Sequence, residues 1–319
     1  MTFDDSKFRP SLLFRSAHFN TIYPNRKRKV EGVNYTRKRL TTWDNDFVDL
    51  DFSKIGSKQL VLVLHGLEGN SDRQYARGMV KMANQRGFDA MVFNQRSCSG
   101  EMNLLPTSYH SGKSDDLKFV IEEIAKDYES IFLVGFSLGG NILLKYLGEQ
   151  GSIVLKQIKK AVAISVPVDL SDSAIQLAKR QNWIYMRRFL KTLKAKTTKK
   201  MQQFEALSIS IDELNSCNSF IDFDNLYTAP VHGFKDANDY WKQASSKQFL
   251  NDIALPTLLV NALDDPFLGK HCYPYQEAKL NKQLELITPK HGGHVGFGES
   301  FNIENPLWTE GLAMQFFTS

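Results

Sequence analysis

Cysteine is scarce in this chain, and its three cysteines are far apart. They are Cys98, Cys217 and Cys272, and no pair of them has CxxC spacing. This pattern offers neither a disulfide framework nor a paired-cysteine metal site. It predicts a reduced protein, and we therefore expect a cytoplasmic location.

Long hydrophobic runs are also missing. No apolar stretch approaches the roughly 18 residues that a membrane-spanning helix requires. The segment MTFDDSKFRPSLLF (1–14) carries two early aspartates and lacks the apolar core of a signal peptide. These features predict a soluble protein, with peripheral contact at a membrane surface left open.

Charge of one sign does not dominate either. Lys and Arg number 40 against 35 Asp and Glu, which gives a net charge of +5. This mild excess is typical of a solvated basic face, and no recognised nucleic-acid-binding module accompanies it. The chain also lacks a repeat period or a low-complexity tract. At 319 residues, 42% of them hydrophobic, it is long enough for a well-buried core.

Strand-like and helix-like segments alternate along much of the sequence. YTRKRLTTWDNDFVDLDF (35–52) predicts a hairpin around Asp44-Asn45-Asp46, and QLVLVL (59–64) predicts a strand buried on both faces. Further strands are predicted at 88–93, 131–134, 161–165, 256–261 and 284–288, and helices at 71–85, 115–128, 139–148 and 307–317. This alternation favours right-handed βαβ units in a mostly parallel sheet of the α/β class.

The alternation stops after Pro167. The following residues are polar, basic and helix-leaning, and they contain no convincing central strand. We therefore predict an α/β core of residues 1–166 and 246–319, with an N-terminal arm and hairpin up to about residue 55. Residues 167–245 are predicted to form a mostly helical cap inserted into this core.

A serine between glycines marks the change from a predicted strand to a predicted helix. The stretch GFSLG (135–139) has the Gly-x-Ser-x-Gly pattern of a nucleophile elbow. Such a turn lifts the serine hydroxyl above the sheet and places it at a helix N-terminus, where N–H groups face developing negative charge. Ser137 is therefore the predicted nucleophile.

A serine nucleophile needs a base to accept its proton and an acid to orient that base. Asp264 and Asp265 follow the strand at 256–261, and we prefer Asp264, the first polar position after the strand, with Asp265 as the alternative. His291 and His294 lie in a glycine-containing loop after the last strand. We prefer His294 as the base, because small residues flank it. A metal site is not expected, since no further ligands are clustered near these histidines.

Acyl transfer also requires hydrogen-bond donors for the oxyanion. HGLEG (65–69) follows the buried strand at the position where a loop in such sites contributes a backbone N–H. We assign one donor to the N–H of Leu67 and the second to that of Leu138. His65 is interpreted as structural.

Seven ordered sequence blocks together carry a family resemblance. They are HGLEG (65–69), NQRSCSGE (94–101), YHSGKSDDL (109–117), GFSLGGN (135–141), APVHGF (229–234), NALDDPF (261–267) and HGGHVGF (291–297). With them the chain resembles an α/β-hydrolase of the bacterial YheT-like branch, which is similar to eukaryotic abhydrolases and yeast medium-chain acyl esterases.

This resemblance has implications for the fold and for the site. It implies an α/β-hydrolase fold, with Ser137 as nucleophile, His294 as base and the acid in the DDP turn. It also implies hydrolysis of carboxylic esters with short to medium acyl chains, and lipids as further substrates. The expected serine mechanism itself requires no cofactor. One departure is Ser97, which stands where the family usually has glycine. Beside it, Arg96 is interpreted as a structural anchor.

A basic amphipathic helix is predicted within the cap, at residues 179–200. Trp183, Met186, Leu190 and Leu193 fall on one face of it. That face either covers the active site or, with the surrounding cations, lies on an anionic membrane. We favour the first interpretation.

The sequence thus predicts a serine hydrolase that acts on small-molecule or lipid esters. An alcohol acyltransferase or a (phospho)lipase using the same residues is the nearest alternative. A binding protein without catalytic activity on the same fold is a more distant one.

Overall fold

A single eight-stranded sheet forms the centre of the protein. The computed structural model describes residues 8–205, 207–304 and 306–319, so part of the predicted N-terminal arm, residues 1–7, lies outside the described residues. The strands are β1 (Thr36–Thr41), β2 (Phe47–Ser53), β3 (Gln59–Leu64), β4 (Asp89–Asn94), β5 (Ser130–Phe136), β6 (Ile158–Ile164), β7 (Thr257–Val260) and β8 (Leu284–Ile287). Their order across the sheet is β1-β2-β4-β3-β5-β6-β7-β8.

Most neighbouring strands in this sheet are parallel. β1 and β2 form the predicted antiparallel hairpin, whose turn includes Asn45 at φ 61°, and β2 is antiparallel to β4. From β4 to β8 every pair of neighbours is parallel, so the carboxyl ends of these strands meet at one edge. The predicted α/β class with a mostly parallel sheet is confirmed.

Helices cover both faces of the sheet. Those outside the segment between β6 and β7 are α1 (Ala17–Lys27), α2 (Gln74–Gln85), α3 (Ser114–Ile124), α4 (Leu138–Gln150), α11 (Tyr275–Leu280) and α12 (Trp308–Thr318). Alternate residues of β3 point to opposite faces: Leu60, Leu62 and Leu64 pack in the core with α3 and α4. Val61 and Val63 pack in the second core with α2 and α12. This two-sided burial explains why β3 is a continuous apolar run.

Between β6 and β7 all described regular elements are helical. They are α5 (Leu170–Leu177), α6 (Trp183–Gln203), α7 (Ile211–Ser216), α8 (Phe220–Phe223), α9 (Ala229–Val231) and α10 (Ala237–Ala244), with a π-helical turn at Asp224–Thr228. Leu177, Leu214, Phe223 and Tyr227 belong to a separate hydrophobic cluster, which Phe267 joins from the loop after β7. This cluster attaches the helical segment to the core.

The long helix α6 uses its apolar side mainly for packing. Met186 and Leu190 are buried in this separate hydrophobic cluster, and Leu193 packs against it. Trp183, predicted to lie on the same stripe, is instead 54% exposed. Within the part of the chain that the structure describes, no helix is both long and apolar enough to span a membrane.

The helix α1 was not predicted. Its N-cap is Ser16, and Pro24 lies inside its last turns. Proline usually ends or kinks a helix, so the sequence of this segment does not predict one. In the structure α1 packs beside the loop that carries His294, and it therefore bears on the site.

Arg96 is buried and connects two parts of the core. Its guanidinium donates to Asp116 on α3 at 2.7 and 2.8 Å, and to Asp44 and Asp46 of the hairpin turn at 2.8 and 3.1 Å. The anchor interpretation fits these contacts. Ser97 adopts φ 62°, the left-handed conformation that glycine adopts most easily. Its hydroxyl is hydrogen-bonded to the side chain of Asn103, which helps to hold serine in this conformation.

Candidate active site

Ser137 occupies a strained turn between β5 and α4. Its backbone has φ 51° and ψ −120°, a conformation that non-glycine residues rarely adopt. The glycines of the motif are needed by close packing: a Cβ on Gly139 would lie 2.5 Å from the His65 carbonyl oxygen, and one on Gly135 would lie 2.6 Å from Cα of Gly140. The predicted elbow geometry is present.

His294 lies between Ser137 and an aspartate. Nε2 of His294 is 2.9 Å from Oγ of Ser137, and Nδ1 is 2.9 and 3.1 Å from the two carboxylate oxygens of Asp265. A carboxylate only accepts hydrogen bonds, so Nδ1 carries the proton and donates it to Asp265. Nε2 is then the acceptor for the serine hydroxyl, which is the arrangement that general-base chemistry requires.

The acid position is a correction to the sequence-based preference. Asp265, the alternative, contacts His294, whereas the preferred Asp264 points elsewhere. The side chain of Asp264 accepts the N–H of Gly293 at 2.9 Å and lies 3.6 Å from Nδ1 of His291. The physical reason is a tight turn, in which the N–H of Asp265 donates to the Ala262 carbonyl at 3.1 Å. Because of this turn, the side chain of Asp265 faces the imidazole of His294, and that of Asp264 does not.

The environments of the two aspartates differ accordingly. The carboxylate of Asp265 is fully shielded from solvent and also accepts the N–H of Phe267 at 2.9 Å. Burial raises the pKa of Asp264, while the N–H of Gly293 and the nearby His291 act in the opposite direction. Asp264 therefore binds the backbone of the loop that carries His294, and not the imidazole ring of His294.

Three residues that sequence reasoning missed hold His294 in place. The backbone N–H of His294 donates to Oγ1 of Thr21 on α1 at 2.8 Å, and that of Val295 donates to Oγ of Ser165 at 2.9 Å. The imidazole stacks on the ring of Phe267 with a centroid separation of 4.0 Å. Ser165 directly follows β6 at the sheet edge that carries the other site residues, and this position was the available signal in the sequence.

The residues that carry the predicted oxyanion donors, Leu67 and Leu138, lie close to Ser137. Leu138 is the first residue of α4, so its N–H has no acceptor within the helix. A Cβ added to Gly66 would lie 3.2 Å from Cβ of Ser137, which shows how closely the loop before Leu67 approaches the elbow. Leu67 and Leu138 line the same cavity as the serine.

His65 is buried and internally hydrogen-bonded. Its Nδ1 donates to the Gly66 carbonyl at 2.8 Å, and its Nε2 accepts the N–H of Gln95 at 3.2 Å. Burial lowers the pKa of His65 to about 4, so the ring is neutral near pH 7. These contacts agree with a structural role.

An inner cavity extends from Ser137 towards the helices between β6 and β7. Its apolar lining includes Leu170, Leu177, Phe189, Leu193, Phe220 and Phe223. Asp224 also lines it, and its carboxylate accepts from Nε1 of Trp241 at 2.8 Å and from the Thr228 hydroxyl at 2.7 Å. Burial raises the pKa of Asp224 to about 6. The cavity is mainly suited to an apolar group.

A second space, the outer cleft, reaches Ser137 and His294 from the other side. It lies between α1, the start of α2 and the first turns of α6, and its lining includes Arg26, Arg73 and Arg188. Ser137 and His294 thus lie where an apolar cavity meets a basic cleft. Within the described ranges, no group of three or more His, Cys, Asp or Glu is placed to hold a metal ion.

Comparisons with known proteins give a consistent result. A family model described as the alpha/beta hydrolase fold matches residues 59–301. The chain is 34% identical to "Putative esterase YheT" of Escherichia coli (strain K12), over 98% of this chain and 94% of that protein. It is 30% identical to "Phospholipase ABHD3" of Bos taurus, over 89% of this chain and 71% of that protein. It is 31% identical to "Monoacylglycerol lipase" of Saccharomyces cerevisiae, over 76% and 55% of the two chains.

Among solved structures, the fold is similar to that of the esterase Pf2001 of Pyrococcus furiosus. The TM-score is 0.60 at 17% identity, and the match covers 92% of this chain and 96% of the other. At this identity the structural likeness shows the fold alone. The family model and the sequence relatives show to which family the chain belongs. The resemblance predicted from the seven sequence blocks is confirmed, and the chain belongs to the alpha/beta hydrolase fold family.

Proposed function

We propose that this protein is a serine hydrolase that cleaves carboxylic esters through an acyl-enzyme intermediate. The observation that carries the proposal is the continuous series of contacts from Ser137 through His294 to Asp265. The names of the relatives support it, because they describe an esterase, a monoacylglycerol lipase and a phospholipase.

The reaction follows from the geometry of these groups. Oγ of Ser137 attacks the ester carbonyl while Nε2 of His294 accepts the hydroxyl proton, and Asp265 stabilises the imidazolium that forms. The backbone N–H groups of Leu67 and Leu138 bind the oxyanion. The imidazolium then protonates the leaving alcohol, and a water molecule activated by His294 releases the acid.

The inner cavity is the proposed site for the acyl chain. Apolar walls from α5, α6 and α8 favour burial of methylene groups, at about 0.8 kcal/mol for each group buried. This supports esters of short to medium acyl chains as substrates. Residues 167–245 act, on this proposal, as a cap that encloses the chain above the α/β core.

Two further proposals concern where the protein acts. Peripheral membrane contact through α6 is supported by Trp183 and Ile184, which are 54% and 51% exposed at the start of this basic helix. A cytoplasmic location rests on the cysteines alone, which are unpaired in the structure.

The decisive experiment compares Ser137→Ala with the parent protein on esters that differ only in acyl length. We expect turnover to fall by about 10⁴-fold or more, with circular dichroism and thermal melting unchanged. Ser152→Ala, at an exposed position, is the matched control and should retain full activity. Fluorophosphonate labelling should require Ser137.

Parent-level turnover in Ser137→Ala would refute the proposal. Product analysis in the presence of added alcohol separates hydrolysis from acyl transfer. Acyl transfer that dominates at low alcohol concentration would replace the hydrolase with an acyltransferase.

A further inference from the structure

The outer cleft carries an excess of positive charge beside the reactive serine. Its lining contains five cationic residues, Arg26, Arg73, Arg187, Arg188 and Lys191, and one carboxylate, Glu68. The same lining includes Ser137 and His294. A group bound in this cleft would therefore be adjacent to the ester that reacts.

The cations converge from three separate elements. Arg26 lies in the last turn of α1, Arg73 is the N-cap residue of α2, and Arg188 lies in the second turn of α6. Burial lowers the pKa of the Arg188 guanidinium, and the charges of Arg73 and Arg26 lower it further. The charges of Arg26 and Arg73 therefore act on the Arg188 guanidinium across the cleft, and a bound anion would offset this repulsion.

The protein does not neutralise this charge from within. Glu68 is engaged by Lys196 at 2.8 Å and by the hydroxyl of Tyr109 at 2.7 Å. Asp72, beside Arg73 in sequence, lies 3.6 Å from Arg77. In the described part of the chain, no carboxylate forms an ion pair with Arg26, Arg73 or Arg188. Arg73 also donates to the Glu68 carbonyl oxygen at 2.7 Å. Arg26 and Arg188 are exposed and Arg73 is partly buried, so their guanidinium groups are accessible to a ligand of opposite charge that enters the cleft.

Guanidinium groups suit phosphate in particular. Their planar donors form paired hydrogen bonds to two oxygens of one phosphate, and such charge-assisted bonds are stronger than neutral ones. The inner cavity is apolar and is the proposed site of the acyl chain, so the cleft remains for the alcohol portion of the ester.

We propose that the outer cleft binds a phosphate group on the alcohol portion of the substrate, and that the enzyme prefers acyl esters of phosphorylated alcohols over neutral esters. This inference rests on the proposed ester hydrolysis and adds the chemical class of the leaving group. Arg26, Arg73 and Arg188 are the residues that hold the phosphate.

The first test compares two soluble esters that differ only in this group. The probes are 1-octanoyl-glycerol 3-phosphate and 1-octanoyl-glycerol, each kept below its critical micelle concentration. We expect kcat/KM to be at least about tenfold higher for the phosphorylated ester. The preference should shrink as ionic strength rises from about 50 mM to about 300 mM, because salt screens exposed charges.

Charge removal within the cleft supplies the second test. Arg188→Gln and Arg26→Gln should each lower the ratio of the two kcat/KM values by about tenfold, mainly through KM for the phosphorylated ester. Lys199→Gln is the matched control, because it removes one charge from an exposed position of α6 that does not line the cleft. Its ratio should equal that of the parent.

A binding measurement separates this inference from the proposed function. Calorimetric titration of Ser137→Ala should show tighter binding of the phosphorylated ester than of the neutral ester, without any turnover. Hydrolysis of both esters at equal kcat/KM, with equal binding, would overturn the phosphate site and leave the hydrolase intact. If the phosphorylated ester binds selectively, but the parent neither hydrolyses it nor reacts with fluorophosphonate, the proposed ester hydrolysis is refuted and the phosphate site stands.

Membrane attraction is the remaining alternative for the same charges. If the preference appears only when both esters are embedded in anionic vesicles, and not with monomeric esters, the cations bind a lipid surface. That outcome would also overturn the phosphate site.

Discussion

Nε2 of His294 lies 2.9 Å from Oγ of Ser137, although 157 positions separate the two residues in the chain. The parallel strands bring them together, because β5 and β8 both end at the same edge of the sheet. The turn at Ser137 and the loop at His294 both contain residues with positive φ, at 51° for Ser137 and 56° for Val295. The fold therefore stores backbone strain on both sides of this contact.

The two neighbouring aspartates should differ sharply on mutation. Asp265→Asn replaces the acceptor of the His294 Nδ1 proton and favours the wrong tautomer, so kcat should fall by roughly 10³- to 10⁴-fold. Asp264→Asn retains a side-chain oxygen for the N–H of Gly293 and should change kcat by less than about tenfold. Steady-state kinetics of both variants on one ester provide the measurement. Equal losses would show that the carboxylate nearest to His294 does not orient it.

Ser165 should affect catalysis without touching the substrate. It is fully buried, and its hydroxyl accepts the N–H of Val295 at 2.9 Å. Ser165→Ala leaves that N–H without this acceptor, which costs about 1–3 kcal/mol of unfolding free energy. The His294 loop should also loosen, so kcat should fall while KM stays similar. Denaturant unfolding and kinetics measure the two effects, and Ser300→Ala, at an exposed position of the same loop region, is the control.

Two glycine-to-alanine changes should have opposite effects on stability. A Cβ on Gly296 would lie 2.1 Å from the Asn20 carbonyl oxygen of α1, so Gly296→Ala should separate α1 from the histidine loop and cost at least about 1–3 kcal/mol. A Cβ on Gly311 in α12 meets nothing within 4 Å. Gly311→Ala should therefore be neutral or stabilise by up to about 1 kcal/mol. Thermal melting distinguishes them, and an unchanged melting temperature for Gly296→Ala would contradict the packing.

Asp224 should make stability depend on pH. Burial raises its pKa from 3.8 to about 6 in the folded state, so the folded protein binds this proton more tightly than the unfolded chain does. Its contribution to stability is therefore present at low pH and is lost as pH rises from about 4 to about 6. Asp224→Asn removes this pH-dependent loss of stability, because the amide does not ionise.

The measurement for Asp224 is a difference between two pH values. The unfolding free energy of Asp224→Asn minus that of the parent should be more favourable at about pH 7.5 than at about pH 4, by about 3 kcal/mol. Asp252→Asn, at an exposed position, should show no such change. A difference for Asp224→Asn that does not vary with pH would show that its carboxyl is not desolvated.

Several parts of the structure were accessible to sequence reasoning because their signals are local. The apolar run at β3 and the Gly-x-Ser-x-Gly turn each depend on residues close in sequence, and the predicted bounds of β3, Gln59–Leu64, agree with the structure. The choice between Asp264 and Asp265 was not accessible in this way. It depends on which of the two carboxylates faces the imidazole of His294, which is 29 or 30 positions away in the chain. The tight turn between them sets these directions, and the sequence does not show its geometry.

The α1 helix shows the same limit. Pro24 argues against a helix locally, whereas Thr21 is placed by tertiary packing to accept the N–H of His294. The basic cleft is a further case, because Arg26, Arg73 and Arg188 are far apart in sequence and meet through three different helices. The sequence by itself therefore determined the α/β alternation, the serine turn and the helical character of the insertion, since each depends on short-range periodicity and steric preference. Only the tertiary structure decided which aspartate contacts His294, which residues hold the loop of His294 and which charged side chains lie near Ser137. These features depend on side-chain directions that packing between distant segments sets.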